Sequence, residues 1–341
     1  MKFRKNIMIL VLLLSMLLTS CILVGCGNGT KDDGKLSIVT TIFPEYDWVK
    51  QILGDEIENA ELTLLLNSGA DLHNYQPTAD DIVKIASCDM FIYVGSESDE
   101  WVEGALAQAT NKDMVVINLF ELLGDKVKEE EVVDGMEKDE HGEEHGEEHG
   151  DEHEGESEGA HVNENDEHVW LSLANAKVIC KEIANQLSTL DPDNADKYTQ
   201  NVNQYCDQLT ALHNEYKAAV DAANTKTLLF ADRFPFRYLV DDYGLSYYAA
   251  FAGCSAETEA SFETIAFLAG KVDELGLKSV IKIEGSDDSI ATTIIGTSNS
   301  KNAKILTMNS LQTTTTKDAA NGVTYLSVMK SNLEVLKEAL E

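Results

Sequence analysis

His73 lies in the stretch "NSGADLHNYQPTADD" and His168 in "NDEHVWLS". Imidazole nitrogens joined by carboxylate or amide oxygens are the donors that hold divalent transition metals. Oxygen donors follow apolar runs elsewhere: Asp71 just before His73, Asp232 after "TLLFA", and Asn309 after "AKILTM". His73, His168, Asp232 and Asn309 therefore form a candidate metal set, closing around one ion from four separate loops. Each alone has a plain structural role: a loop histidine, a packing partner of Trp170, a salt bridge to Arg233, a turn amide. Four such residues, each at a strand end or loop, point together to a site. Glu259, Glu284 and Cys254 stand in reserve as further donors. Arg233, beside Asp232, cannot ligate because its guanidinium stays protonated. His213, in mid-helix among charged residues, reads as surface.

A second histidine pattern has a different character. His141, His145, His149 and His153 recur every fourth residue in "EHGEEHGEEHGDEH". The run holds no apolar residue, so it builds no core. On a helix the four would share one face, but Gly142, Gly146 and Gly150 oppose a stable helix. Such a chain of imidazoles and carboxylates would bind divalent transition metals weakly at several points and raise their local concentration. The plain alternative is a solvated linker. Neutral imidazole is the binding form, so capture weakens near pH 5, below the reference histidine pKa of about 6.5.

Charge narrows the partners. The 341 residues carry a formal net charge of -34, and 43% are hydrophobic. Glu129 to Glu167 holds nineteen of the 60 acidic residues against one Lys, yet the remainder is also acidic. That surface repels nucleic acid and anionic lipid and attracts cations. Lys2, Arg4 and Lys5 precede an apolar run from Ile7 to Val24 that ends "LVGC". This is the layout of a secretory signal, with Cys26 the expected lipidation site. Cys21, in "LTSC", fits less well, because cleavage there would leave "ILV" exposed. Four more cysteines, Cys88, Cys180, Cys206 and Cys254, follow no metal-ribbon or CxxC spacing. Export permits disulfides, but spacing selects no pair.

The elements that must position these residues read as an α/β chain. "KLSIVTTIFP", "ELTLLL", "MFIYVG" and "MVVINL" are short apolar runs bounded by turns, as buried parallel strands are. Helical patterns lie between them, one starting at Thr78 as N-cap. "TLLFAD", "LSYYAAF", "SVIKIE" and "AKILTMN" repeat the alternation after a stretch of roughly twenty-five residues without Gly or Pro, long enough for a helix of about 35–40 Å. The expected fold is two similar lobes, each a four-stranded mostly parallel sheet flanked by helices, joined by one long helix. Boundaries fall at 1–25 for the signal, 26–35 for a linker, 36–190 for the first lobe with its acidic loop at 129–166, 191–224 for the joining helix, and 225–341 for the second lobe. In open α/β sheets ligands bind beyond the carboxyl ends of strands, where the candidate residues lie.

"GADLHNYQPTADDI", an acidic His-rich loop, "DEHVWLSLANA", the lipobox and the long helix together resemble the zinc/manganese-binding lipoproteins of bacterial ABC importers, the cluster A-I solute-binding proteins, in the zinc branch. The resemblance covers nearly all of the mature chain. It implies that His73 and His168 are the first lobe's ligands. It also implies a membrane permease as partner, attachment to the outer face of the bacterial membrane through the lipidated cysteine, a monomer, and no catalysis. This chain departs from the family in its second lobe. Arg233 stands where the family has His or Glu, leaving Asp232 one residue away, and Asn309 stands where it has Asp. Zn2+ is the expected cargo, with manganese or iron as alternatives, because the His-rich loop suits zinc better than manganese. Readings from other classes are an exported zinc hydrolase, which would need a metal-bound water and a general base, and a metal-buffering adhesin. No HExxH motif supports the hydrolase.

Overall fold

The computed structural model describes residues 34–69, 72–137, 164–255 and 259–341. Cys26, Asp71 and the histidines 141, 145, 149 and 153 lie outside the described residues. Residues 36–341 form one compact unit. Among the described residues no helix is long and apolar enough to cross a membrane.

The first sheet contains β1 (Leu36–Thr40), β2 (Ala60–Leu64), β3 (Met90–Tyr93) and β4 (Val115–Asn118), in the order β2-β1-β3-β4. All its pairings are parallel. The second sheet repeats this with β5 (Thr227–Arg233), β6 (Ser246–Phe251), β7 (Ser279–Ile283) and β8 (Lys304–Met308), in the order β6-β5-β7-β8, again parallel. In each sheet the order reverses beside the first strand, which is where such sheets open a crevice for ligands.

Helices cover the faces. The first-lobe helices are α1 (Phe43–Leu53), α2 (Ala79–Ser87), α3 (Trp101–Leu106) and α4 (Leu119–Leu123). Thr78 caps α2 as expected: its hydroxyl accepts from the Asp81 N–H and the Asp81 carboxylate accepts from the Thr78 N–H. This exchange satisfies two otherwise orphaned donors. Two helices then carry the chain across, α5 (Leu173–Leu190) and the 28-residue α6 (Ala195–Ala222). The second lobe adds α7 (Arg237–Tyr243), α8 (Phe262–Leu275), α9 (Ser289–Thr297), α10 (Thr316–Ala320) and α11 (Tyr325–Ala339).

One hydrophobic cluster runs through both lobes. It joins Trp48 and Phe91 of the first to Trp170, Tyr216, Phe236 and Tyr325. A smaller cluster lies under α8 and α9, around Leu229, Phe251 and Leu268. Aromatic polar atoms tie the seam. The Trp170 indole N–H donates to the Ser310 carbonyl at 2.8 Å, and the Tyr325 hydroxyl donates to the Trp170 carbonyl at 2.7 Å. The Tyr325 N–H donates to Asp47 of α1 at 2.9 Å. The ends of the acidic segment are also held. An antiparallel bridge pairs Glu129 with Asn165, and the Glu137 N–H donates to the Ala250 carbonyl of β6 at 2.9 Å.

Candidate metal centre

His73 rides on the single 3-10 turn Leu72–Asn74, beyond the carboxyl end of β2. His168 precedes a second 3-10 turn, Val169–Leu171, which Ser172 joins to α5 by accepting the Asn175 N–H at 3.1 Å. The two imidazoles meet, with ring centroids 5.9 Å apart and planes at 65°. His168 is fully buried and packs 5.2 Å from the Trp170 ring.

The tautomer of His168 follows from its neighbours. Nδ1 lies 3.0 Å from Asp166 Oδ1, an oxygen that also accepts the His168 backbone N–H at 2.9 Å. A carboxylate accepts, so Nδ1 carries the proton. Gln312 of the second lobe places its amide nitrogen 2.8 Å from Nε2, so Nε2 accepts. The lone pair is therefore on Nε2, the arrangement in which an outer carboxylate orients a metal-binding imidazole. Gly253 makes room for this ring. A Cβ there would stand 2.8 Å from the Phe234 carbonyl oxygen and 3.3 Å from His168 Cε1.

Around His73 the donors are mixed. Its Nδ1 lies 3.1 Å from Glu167 Oε1 and 3.3 Å from the Ser98 hydroxyl. The other Glu167 oxygen accepts from the Ser96 hydroxyl at 2.7 Å. Cys254, on the loop after β6, completes the group: one donor atom each from His73, Glu167 and Cys254 lie within 4.8 Å of one another. Soft, borderline and hard donors thus converge where the two lobes meet.

Residues 38–339 match the family model of the periplasmic zinc-uptake complex component A, ZnuA. The chain belongs to the ZnuA family. It is 31% identical over 330 residues to the zinc-binding lipoprotein AdcA of Streptococcus pneumoniae serotype 4, covering 95% of this chain but 60% of that protein. It is 30% identical over 331 residues to the high-affinity zinc uptake system protein ZnuA of Bacillus subtilis, covering 95% and 96% of the two chains. The Zn(II)-bound ZnuA-like domain of S. pneumoniae AdcA superposes with a TM-score of 0.67 at 28% identity, over 90% of this chain and 99% of that one. The chain thus spans about 60% of the length of the pneumococcal relative.

This ZnuA-family chain brings together part of the donor set expected from sequence. His73 and His168 converge. Asp232 and Asn309 are engaged elsewhere. Asp232 accepts the Ile283 N–H at 3.1 Å and the Arg233 N–H at 2.9 Å, which fastens the irregular end of β5 to β7. The Asn309 side-chain oxygen accepts the Leu311 N–H at 2.7 Å and shapes its own turn. Glu284 holds the same turn by accepting the Ser310 N–H and hydroxyl at 2.7 and 2.6 Å. Leu311 there has φ 68, a conformation costly for a residue with a side chain. His213 is half-buried rather than on the open surface, 3.1 Å from the Tyr243 hydroxyl, because α7 packs over that part of α6. All four cysteines among the described residues are free thiols.

Charge on the first-lobe side is compressed into a small volume. Asp99 is 3% exposed, and its Oδ2 accepts the Gly95 N–H at 2.9 Å. Burial, with the Glu167 charge adding, raises its pKa to about 7. Burial, then the Glu167, Glu130 and Asp166 charges, pushes the Cys254 thiol well above its ordinary value. A cation would relieve both. Glu167, Asp166 and Gln312 were hidden from sequence reasoning, although Glu167 directly precedes His168 in "DEHVW" and Gln312 follows Asn309 by three residues.

Proposed function

We propose that this protein is an extracytoplasmic, non-enzymatic receptor that captures zinc where its two lobes meet and delivers it to an ABC-type metal permease. Its family and the zinc-bound structure of its pneumococcal relative support this reading. The observation that carries it is the pair of imidazoles, His73 and His168, held 5.9 Å apart at the seam, with the His168 lone pair on Nε2. The chain acts as a monomer, tethered to the outer face of the membrane through a lipid on Cys26. Zinc is preferred to manganese or iron because imidazole and sulfur around the seam suit it better. The His-rich stretch gathers the ion at low affinity; its described flanks, Glu129 and Asn165, pair in an antiparallel bridge adjoining Asp166.

Calorimetric titration of the mature chain tests this. One tight zinc site per chain is expected, and His73→Ala should weaken it by more than about a hundredfold, roughly 3 kcal/mol. Unchanged tight binding in that variant would remove the assignment. Failure of the purified protein to bind an ABC-type metal permease would separate a receptor from a metal buffer.

A further inference from the structure

We propose that Cys254 is the second lobe's metal ligand, a thiolate that closes the centre formed by His73, His168 and Glu167. The inference rests on the metal-receptor reading above and specifies the donor that reading leaves open. All eight histidines of the chain precede residue 214, so the second lobe has no imidazole to offer. Its oxygen donors near the seam have other work. Asp232 accepts two backbone N–H groups, the Asn309 amide shapes its turn, and Glu284 holds Ser310. Cys254 is the single cysteine after residue 206, and its donor atom lies within 4.8 Å of those of His73 and Glu167.

The loop that carries it is built for that position. The Cys254 N–H donates to Glu130 Oε1 at 2.8 Å, and Gly253 admits the close approach of the loop to His168. Glu167 is 2% exposed, and its Oε1 faces His73, 3.1 Å from Nδ1. Donors around a tetrahedral zinc at 2.0–2.3 Å stand about 3.3–3.8 Å apart. The three-residue group therefore needs to contract by about 1 Å, while His168 Nε2, held by the Gln312 amide and outside that group, would have to move in as the fourth donor. On binding, a sulfur lone pair forms the bond to the metal and the S–H proton leaves to solvent. A thiolate in the set favours zinc and cadmium over manganese.

Cobalt(II) loading of the full mature chain reads this directly. A near-ultraviolet sulfur-to-cobalt charge-transfer band is expected in the wild type and should disappear in Cys254→Ser. That variant should lose at least about tenfold in zinc affinity, the lower end of the loss that even an outer partner of a metal ligand brings. Zinc should also protect the Cys254 thiol from alkylation in the wild type, a readout that needs no variant. Stoichiometric, His73-dependent cobalt binding without the band would overturn the thiolate assignment while leaving the receptor intact. A wild-type chain that binds neither cobalt nor zinc would overturn both.

Discussion

Asp166, Gln312 and Asp99 show how single residues set the state of the centre before any ion arrives. Asp166 fixes the proton of His168 on Nδ1. Asp166→Asn offers that nitrogen an amide that can donate as well as accept, so zinc affinity should fall by about 10–100-fold in a competition titration. Gln312 occupies the lone pair that a metal would use. Gln312→Ala deletes a hydrogen bond worth about 1 kcal/mol, so the apo protein should melt lower while zinc binds a few-fold tighter. Asp99 titrates near 7 in the fold and near 3.9 unfolded. The folded chain thus holds a proton the unfolded chain has lost between these values. Its stabilising effect is complete below about pH 4 and is lost as pH rises through about 7. Asp99→Asn should therefore stabilise the apo protein at pH 8 by on the order of 4 kcal/mol and leave it little changed at pH 4, as urea melts at the two pH values would record. Among these residues only the histidines were legible beforehand, because a histidine in a loop draws attention by type. Gln312 and Glu167 matter through placement, which the local sequence does not encode.

At the scale of elements, sequence reading served well where periodicity carries information. The eight apolar runs became the eight strands of the two sheets: the central β3 and β5 are largely buried, as continuously apolar runs require, while the edge strands β2, β4 and β8 keep exposed residues. The long stretch without Gly or Pro became α6, and Thr78 became a cap. It served less well at strand ends. Asp232 looked like a ligand because acids at the carboxyl end of a strand usually face the crevice. Here the register of β5 shifts between Phe230 and Arg233, which turns Asp232 onto the Ile283 N–H. The loop after β6 holds a further prediction. Gly253→Ala would bring a methyl against the Phe234 carbonyl and the His168 ring. It should cost about 1–3 kcal/mol in stability, as overpacking does, and weaken zinc binding by displacing the Cys254 loop. Thermal melts and titration of the same variant would check both effects.

For the whole molecule, net charge and the held flanks of the acidic segment belong to one device. Deleting residues 139–161 should abolish weak secondary zinc binding and leave the tight site intact, as titration at excess zinc would show. Association should also slow as salt rises, because the charge of -34 acts over a Debye length of about 8–10 Å. One apolar core threads both lobes, and Trp170, Tyr325 and Asp47 stitch it across the seam. Two halves fused in this way cannot swing open like a clamshell without tearing apart tightly packed aromatic rings. On the receptor reading, a bound ion would leave through small local rearrangements of turns such as those bearing Gln312 and Cys254 rather than by wholesale motion of the two halves.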